Sequence, residues 1–216
     1  MIAARDLRIT ALDFEGTGPV SGWPDEPWQI GLVDLQDGQI VARSAYESLL
    51  KVGDRPFNPH APGRHSQIRD ALRQAPALNS LWPVLAPRLE GVVLAAHNAA
   101  TETRYLSCAF PLHPPVIALD TLKLARVLYP TLGSYKLDDI LDRLQLNARV
   151  QSLAPGRSPH DALYDAIGCA ALLEHLFTLP GWGTAPLDTL IQAQSRRRKR
   201  KDNVTTQVAA RIGTAT

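Results

Sequence analysis

Residues 7–14 alternate apolar and polar positions, residues 28–34 read as a second strand, and residues 40–50 as a third after the turn Gln36-Asp37-Gly38-Gln39. Successive strand side chains point to opposite faces, so these runs predict a tightly joined antiparallel meander. Residues 53–68 carry prolines and glycines and read as loop. Helical patterns follow at 68–75 and 80–89, the latter with Ser80 as N-cap, Pro83 tolerated in the first turn and Pro87 expected to kink or end it early. The continuous apolar run Val92-Val93-Leu94-Ala95-Ala96 suits a central strand buried on both faces and ends at His97-Asn98. A helix over 100–110, a strand over 116–119, and helices over 122–129, 135–146 and 159–178 complete the pattern. This order predicts an α/β fold, a mixed sheet with helices on both faces.

The chemistry concentrates where the first strand ends, at Leu12-Asp13-Phe14-Glu15-Gly16-Thr17-Gly18. Asp13 and Glu15 project from one face, and two carboxylates held that close repel unless a cation lies between them. Hard cations such as Mg²⁺ or Mn²⁺ take oxygen ligands of this kind. Three other readings compete. Gly16-x-Gly18 has part of a dinucleotide fingerprint, but Pro19, Pro24 and Pro27 deny it the helix that would hold a pyrophosphate. A phosphatase nucleophile motif needs aspartate where Glu15 stands. A surface strand with two solvated acids needs nothing further, and only the rest of the chain argues against it. The proline-rich loop also carries Trp23, readable as a base-stacking platform or as a loop residue folded onto the domain.

Further acids fit the metal reading. Glu102 falls in the first turn of the helix after the buried strand, where the helix dipole alone favours an acid. Asp165 lies on the apolar side of the last long helix, where a carboxylate needs a partner. His160 stands five residues earlier and would diverge from Asp165 on one continuous helix, so it belongs in or before the first turn.

Composition adds little except at the C-terminal end. With 45% hydrophobic residues in 216, the chain supports one substantial core. No apolar run approaches the roughly 20 residues of a membrane span, and the expectation is a cytoplasmic, unprocessed protein. Cys108 and Cys169 lack metal or redox spacing and read as buried thiols. Residues 196–201 are all Arg or Lys; without them 17 basic residues face 21 acidic ones. The expected division is a domain over 1–180, a linker or short helix over 181–194, and a basic tail over 195–216. Such a run is either solvated or an arm attracting nucleic-acid phosphates.

Three ordered segments together resemble the DEDDh 3′-5′ exonuclease family, which includes the proofreading epsilon subunits of bacterial replicative polymerases. They are Asp13-Phe14-Glu15-Gly16-Thr17-Gly18, His97-Asn98-Ala99-Ala100-Thr101-Glu102 and His160-Asp161-Ala162-Leu163-Tyr164-Asp165-Ala166. Leu119-Asp120-Thr121-Leu122 and Ser134-Tyr135-Lys136-Leu137-Asp138 resemble the family's linking segments, and the likeness covers roughly residues 7–178. It implies a ribonuclease H-like exonuclease fold and hydrolysis of single-stranded DNA or short RNA to nucleoside 5′-monophosphates. By position it implies Asp13, Glu15, Glu102 and Asp165 as holders of two Mg²⁺ or Mn²⁺ ions, and His160 as general base. Gly16, Thr17, His97 and Asn98 would meet the substrate. The implied partners are single-stranded 3′ ends and a DNA polymerase, with no membrane. The chain departs from the pattern at Glu102, where the family ordinarily has aspartate, which leaves as the alternative a nucleic-acid binding module of the same fold whose chemistry has lapsed, and at His65-Ser66-Gln67-Ile68, where many members have His-Gly-Ile-Thr.

Overall fold

The computed structural model describes residues 2–195. Its centre is strand β1 (Ile9–Gly16), flanked antiparallel by β2 (Pro27–Gln36) and parallel by β5 (Val93–Ala96). The sheet continues to β3 (Gln39–Ile40) beyond β2 and to β6 (Ala118–Asp120) beyond β5, while β4 (Tyr46–Leu49) also pairs with β2. This is the mixed sheet that the sequence predicts.

Alternation along β1 separates two apolar layers. Ile9 and Ala11 join Val33 and Leu35 of β2 against Ile167, Ala170 and Leu173 of helix α7 (Ala162–Thr178). Leu12 and Phe14 join Ile30, Leu32 and Leu94 on the other face. There they meet Leu85 and Leu89 of α2 (Trp82–Leu89) and Tyr105 and Leu106 of α3 (Ala99–Ala109). Short α1 (Arg69–Gln74) adds Leu72 to a smaller cluster with Trp28 and Val52. The α7 layer is completed by α4 (Thr121–Leu128), α5 (Leu137–Arg143) and α6 (Asn147–Leu153), through Leu124, Ile140, Leu141 and Val150.

Several expectations are corrected. The third strand breaks in two around a 3₁₀ turn at Ala42–Ser44, because the Ser44 hydroxyl, not a ladder carbonyl, takes the Asp34 N–H at 2.7 Å. The predicted helix over 135–146 stops at Arg143, since Gln145 turns left-handed (φ 58°) and α6 starts two residues later. Ser80 caps nothing; it sits in a 3₁₀ turn (Leu78–Leu81), its hydroxyl donating to the Ala77 carbonyl. Pro87 lies inside α2, which ends two residues on. Cys169 is buried, but Cys108 is exposed beside Ser107 on the outer side of α3.

Helix α8 (Leu187–Ser195) lies against α4 and β6. Its Gln194 takes the Asp120 N–H and donates to the Ala118 carbonyl, both at 2.9 Å, supplying the open edge of β6 with a partner. Among the described residues no helix is long and apolar enough to cross a membrane. The basic run at 196–201 lies outside the described residues.

Candidate active site

The α7 face of β1 passes from Ile9 and Ala11 to Asp13 and Glu15 within one strand, so the acids stand at the end of an apolar layer. Asp13 pairs in register with Gly31 of β2. A Cβ on Gly31 would lie 2.3 Å from the backbone of Ala162 and Leu163, so only glycine lets the first turn of α7 rest on the sheet there. Asp165, in that first turn, is thereby brought to the acids of β1. Gly31 escaped the sequence reading, although a glycine inside an apolar strand is a signal for close backbone approach.

His160 lies before α7, as the spacing requires, with left-handed backbone (φ 67°). Its N–H donates to Asp165 Oδ2 at 2.9 Å, and Asp161 caps the helix by accepting from the Leu163 and Tyr164 N–H groups. Ligand atoms of Glu15, His160 and Asp165 lie within 4.8 Å of one another.

Glu102 comes from α3, which begins directly after β5, and is 4% exposed rather than solvated. Its Oε2 is buried without a hydrogen-bond partner. Asp13 and Glu102 stand outside the closest trio, but all four acids share one field. Burial first, then Glu102, Asp165 and Glu15, raise the Asp13 carboxyl well above the usual range. Burial and then Asp165 push Glu15 to about 8. Burial likewise lifts Glu102 to about 8, against the opposing Phe14 backbone amide. Asp165 rises to about 7 through burial, against the His160 N–H. Buried Glu15 and Glu102 with half-buried Asp13 and Asp165 form a set of oxygen donors that a divalent cation would neutralise.

The residues expected at the substrate have varied surroundings. Thr17 is buried; its hydroxyl accepts the Glu26 N–H at 3.1 Å and its own N–H donates to the Glu26 carbonyl at 2.8 Å. Gly16 is close-packed, because a Cβ would meet the Tyr105 hydroxyl at 2.4 Å and Asp25 Oδ1 at 2.9 Å. Asp25, missed in the sequence, holds this loop by accepting from the Gly18 N–H at 2.8 Å, from Arg104 at 3.2 Å and from the Tyr105 hydroxyl. His97 has both ring nitrogens engaged by the protein, Nδ1 with Thr121 Oγ1 at 3.0 Å and Nε2 with the Tyr135 carbonyl at 2.8 Å, so it joins β5 to the segment before α5. Asn98 is exposed and left-handed (φ 80°), its N–H directed to Asp120 Oδ1 at 3.3 Å. Trp23 is half exposed, with the Arg55 guanidinium 5.7 Å from its ring.

The chain is 28% identical over 187 residues to the 3′-5′ exonuclease DinG of Staphylococcus saprophyticus, covering 84% of this chain and 19% of that protein. It is 28% identical over 169 residues to a DNA polymerase III subunit epsilon-like protein of Rhodobacter capsulatus, covering 76% and 23%. It thus spans about a fifth of the length of these curated relatives. Among solved structures, it is similar to the nuclease domain of 3′hExo, a DEDDh family member bound to rAMP (TM-score 0.59, 14% identity, 82% of this chain and 94% of that one). It is also similar to the Mg²⁺- and Mn²⁺-bound form of Pop2p from S. pombe (TM-score 0.55, 15% identity, 81% and 84%). These likenesses show the ribonuclease H-like exonuclease fold. The exonuclease family model of RNase T type matches residues 10–173, and with Glu15 of the first motif beside His160 and Asp165 of the third, and Glu102 of the second acting electrostatically on Asp13, the chain belongs to the DEDDh 3′-5′ exonuclease family.

Proposed function

We propose that this protein is a metal-dependent 3′-5′ exonuclease that hydrolyses single-stranded DNA or short RNA and releases nucleoside 5′-monophosphates. The observation that carries the reading is the convergence of Glu15, His160 and Asp165 to within 4.8 Å beside Asp13 and Glu102, with neighbouring carboxylates raising Asp13 and Arg104 offsetting only part of the shift at Glu102. The buried, unpartnered Oε2 of Glu102 supports a working metal site over a lapsed one, since a carboxylate oxygen shielded from water and from donors is costly unless a cation meets it.

Asp13, Glu15, Glu102 and Asp165 would hold Mg²⁺ or Mn²⁺, two ions in our reading. The metal, when bound, supplies an activated water and charge stabilisation for the phosphoryl group. His160, exposed at the mouth of the site, would take the proton from the attacking water, as a positioned imidazole does in general-base catalysis. Asp165 accepts the backbone N–H of His160 and so orients the base as well as serving the metal. Glu102 carries one methylene more than aspartate, and Mg²⁺ demands short, near-octahedral ligation; a lean toward Mn²⁺ follows.

The similarity to an rAMP-bound DEDDh domain and to an epsilon-like protein supports nucleic-acid 3′ ends as substrate and a polymerase as partner. We place the domain at 1–180, with α8 following and a basic tail from 196, in the cytoplasm. Matched 5′-labelled DNA and RNA oligonucleotides, incubated with Mg²⁺, Mn²⁺ or chelator, test the reading. It expects single-nucleotide ladders from the 3′ end with metal and none without. Cleavage that persists in chelator, or internal cuts, would refute it.

A further inference from the structure

His160 sits in a connection, between α6 and α7, that has no strand or helix of its own. Its left-handed φ of 67° is one that a side-chain-bearing residue keeps only where its surroundings impose it. Packing alone does not impose it, for a cleft of about 480 Å³ lined by Gly63, Arg64, Pro155, Gly156, Ser158 and Pro159 opens beside the loop. The constraint is polar. Arg157 Nη2 donates to Glu47 Oε1 at 2.5 Å and Nη1 to Glu47 Oε2 at 2.7 Å, and the same Nη1 lies 2.8 and 2.9 Å from the two oxygens of Asp161. Glu47 belongs to β4 and pairs in register with Gly31, the residue on which α7 rests. Buried Gln29 of β2 completes the joint: its Nε2 lies 3.4 Å from both Glu47 Oε2 and Asp161 Oδ2, and its Oε1 accepts the Ala162 N–H at 3.4 Å. The fastening therefore grips the chain on both sides of His160, at 157 and at 161, and ties it to the sheet that carries Asp13 and Glu15.

We propose that Arg157 is a positioning residue for His160, acting with Glu47 as a brace that fixes the histidine loop against β4. The inference rests on the exonuclease reading above. A planar guanidinium can serve Glu47 with both of its terminal nitrogens and still reach Asp161, whereas a lysine ammonium on a flexible stem cannot reproduce that fork. Displacement of a catalytic group by about 1 Å costs on the order of 10²-fold in rate, so the brace acts on turnover and leaves substrate affinity alone.

The test uses the full chain with a labelled single-stranded oligonucleotide and Mn²⁺. Arg157→Gln is expected to lower kcat about 10- to 100-fold with little change in KM, and Arg157→Lys to recover only part of the loss. Glu47→Gln lowers kcat less, and the double variant is no worse than Arg157→Gln, because both changes remove one joint. In metal-free protein, amide exchange of peptides over 154–161 should accelerate in Arg157→Gln while the body of α7 stays protected. Arg149→Gln breaks the pair with Glu174 toward the other end of α7 and should leave kcat unchanged. The brace is overturned if Arg157→Gln keeps wild-type kcat, if KM rises in step with the loss, if exchange over 154–161 does not change, or if Arg149→Gln does equal damage. A wild type that cuts no oligonucleotide refutes the exonuclease reading instead, and the exchange measurement still decides on the brace.

Discussion

Glu102 is the expected metal ligand at which this chain leaves its family's pattern, and its buried Oε2 makes it the sharpest single test. Glu102→Gln removes the charge at nearly constant size and should depress turnover strongly, whereas Glu102→Asp restores the usual reach and should keep or raise activity in Mg²⁺. Equal activity in both variants would make Glu102 an ordinary first-turn acid. His160→Ala should cost on the order of 10²–10⁴ in kcat with metal binding preserved; a parallel loss in calorimetric metal affinity would make it a ligand instead. Gly31→Ala drives a methyl into the α7 backbone, and both melting temperature and activity should fall. A variant with wild-type melting and turnover would show that α7 does not depend on that approach. At this scale the sequence disclosed the groups that carry charge into an apolar pattern. Asp13 and Glu15 end an alternating run, and Asp165 interrupts a helical stripe. It did not disclose Asp25, Arg157 or Glu47, because surface-type residues acquire meaning only from partners as distant as Tyr105 for Asp25 and Glu47 for Arg157.

Between elements, β1 and α7 meet through their acids, and the encounter is unfavourable until something neutralises it. Glu15 and Glu102 have pKa values near 8 in the fold against an ordinary 4.5, and Asp165 is raised from 3.8 to about 7. The folded protein thus retains protons that the unfolded chain has already released, so unfolding becomes easier as pH rises. The stabilisation is fully present below about pH 4 and is lost by about pH 8. In chelator, the melting temperature should be lower at pH 8 than at pH 6, and Mn²⁺ should abolish most of that difference. A metal-free melting temperature that rises across this range would contradict the shared field. The elements themselves were legible wherever the period was long. β1, β2, α3 and α7 all appear close to their expected limits. Short pieces failed for local reasons: the Ser44 hydroxyl diverts an edge strand, and Gln145 reverses the chain without the glycine or proline that would announce it.

For the whole molecule, an acidic body and a run of six basic residues at 196–201 make opposite contributions to encounter with nucleic acid. Removing residues 196–216 should weaken binding to single strands and flatten its salt dependence, since each phosphate neutralised by Lys or Arg adds to the slope. Cleavage of a saturating dinucleotide should not change. An identical salt slope for full-length and shortened protein would show the run to be merely solvating. The chain order of the acids, with Asp13 and Glu15 on β1 and Asp165 on α7, also has a temporal meaning. Asp13 and Glu15 leave the ribosome before His160 and Asp165, which follow only after about 150 more residues, about 8–30 s later at usual rates of synthesis. On the proposed exonuclease reading, the nascent polypeptide carries through that interval only half of the acidic site next to ribosomal RNA, and the power to cut would arrive only when the last long helix has docked.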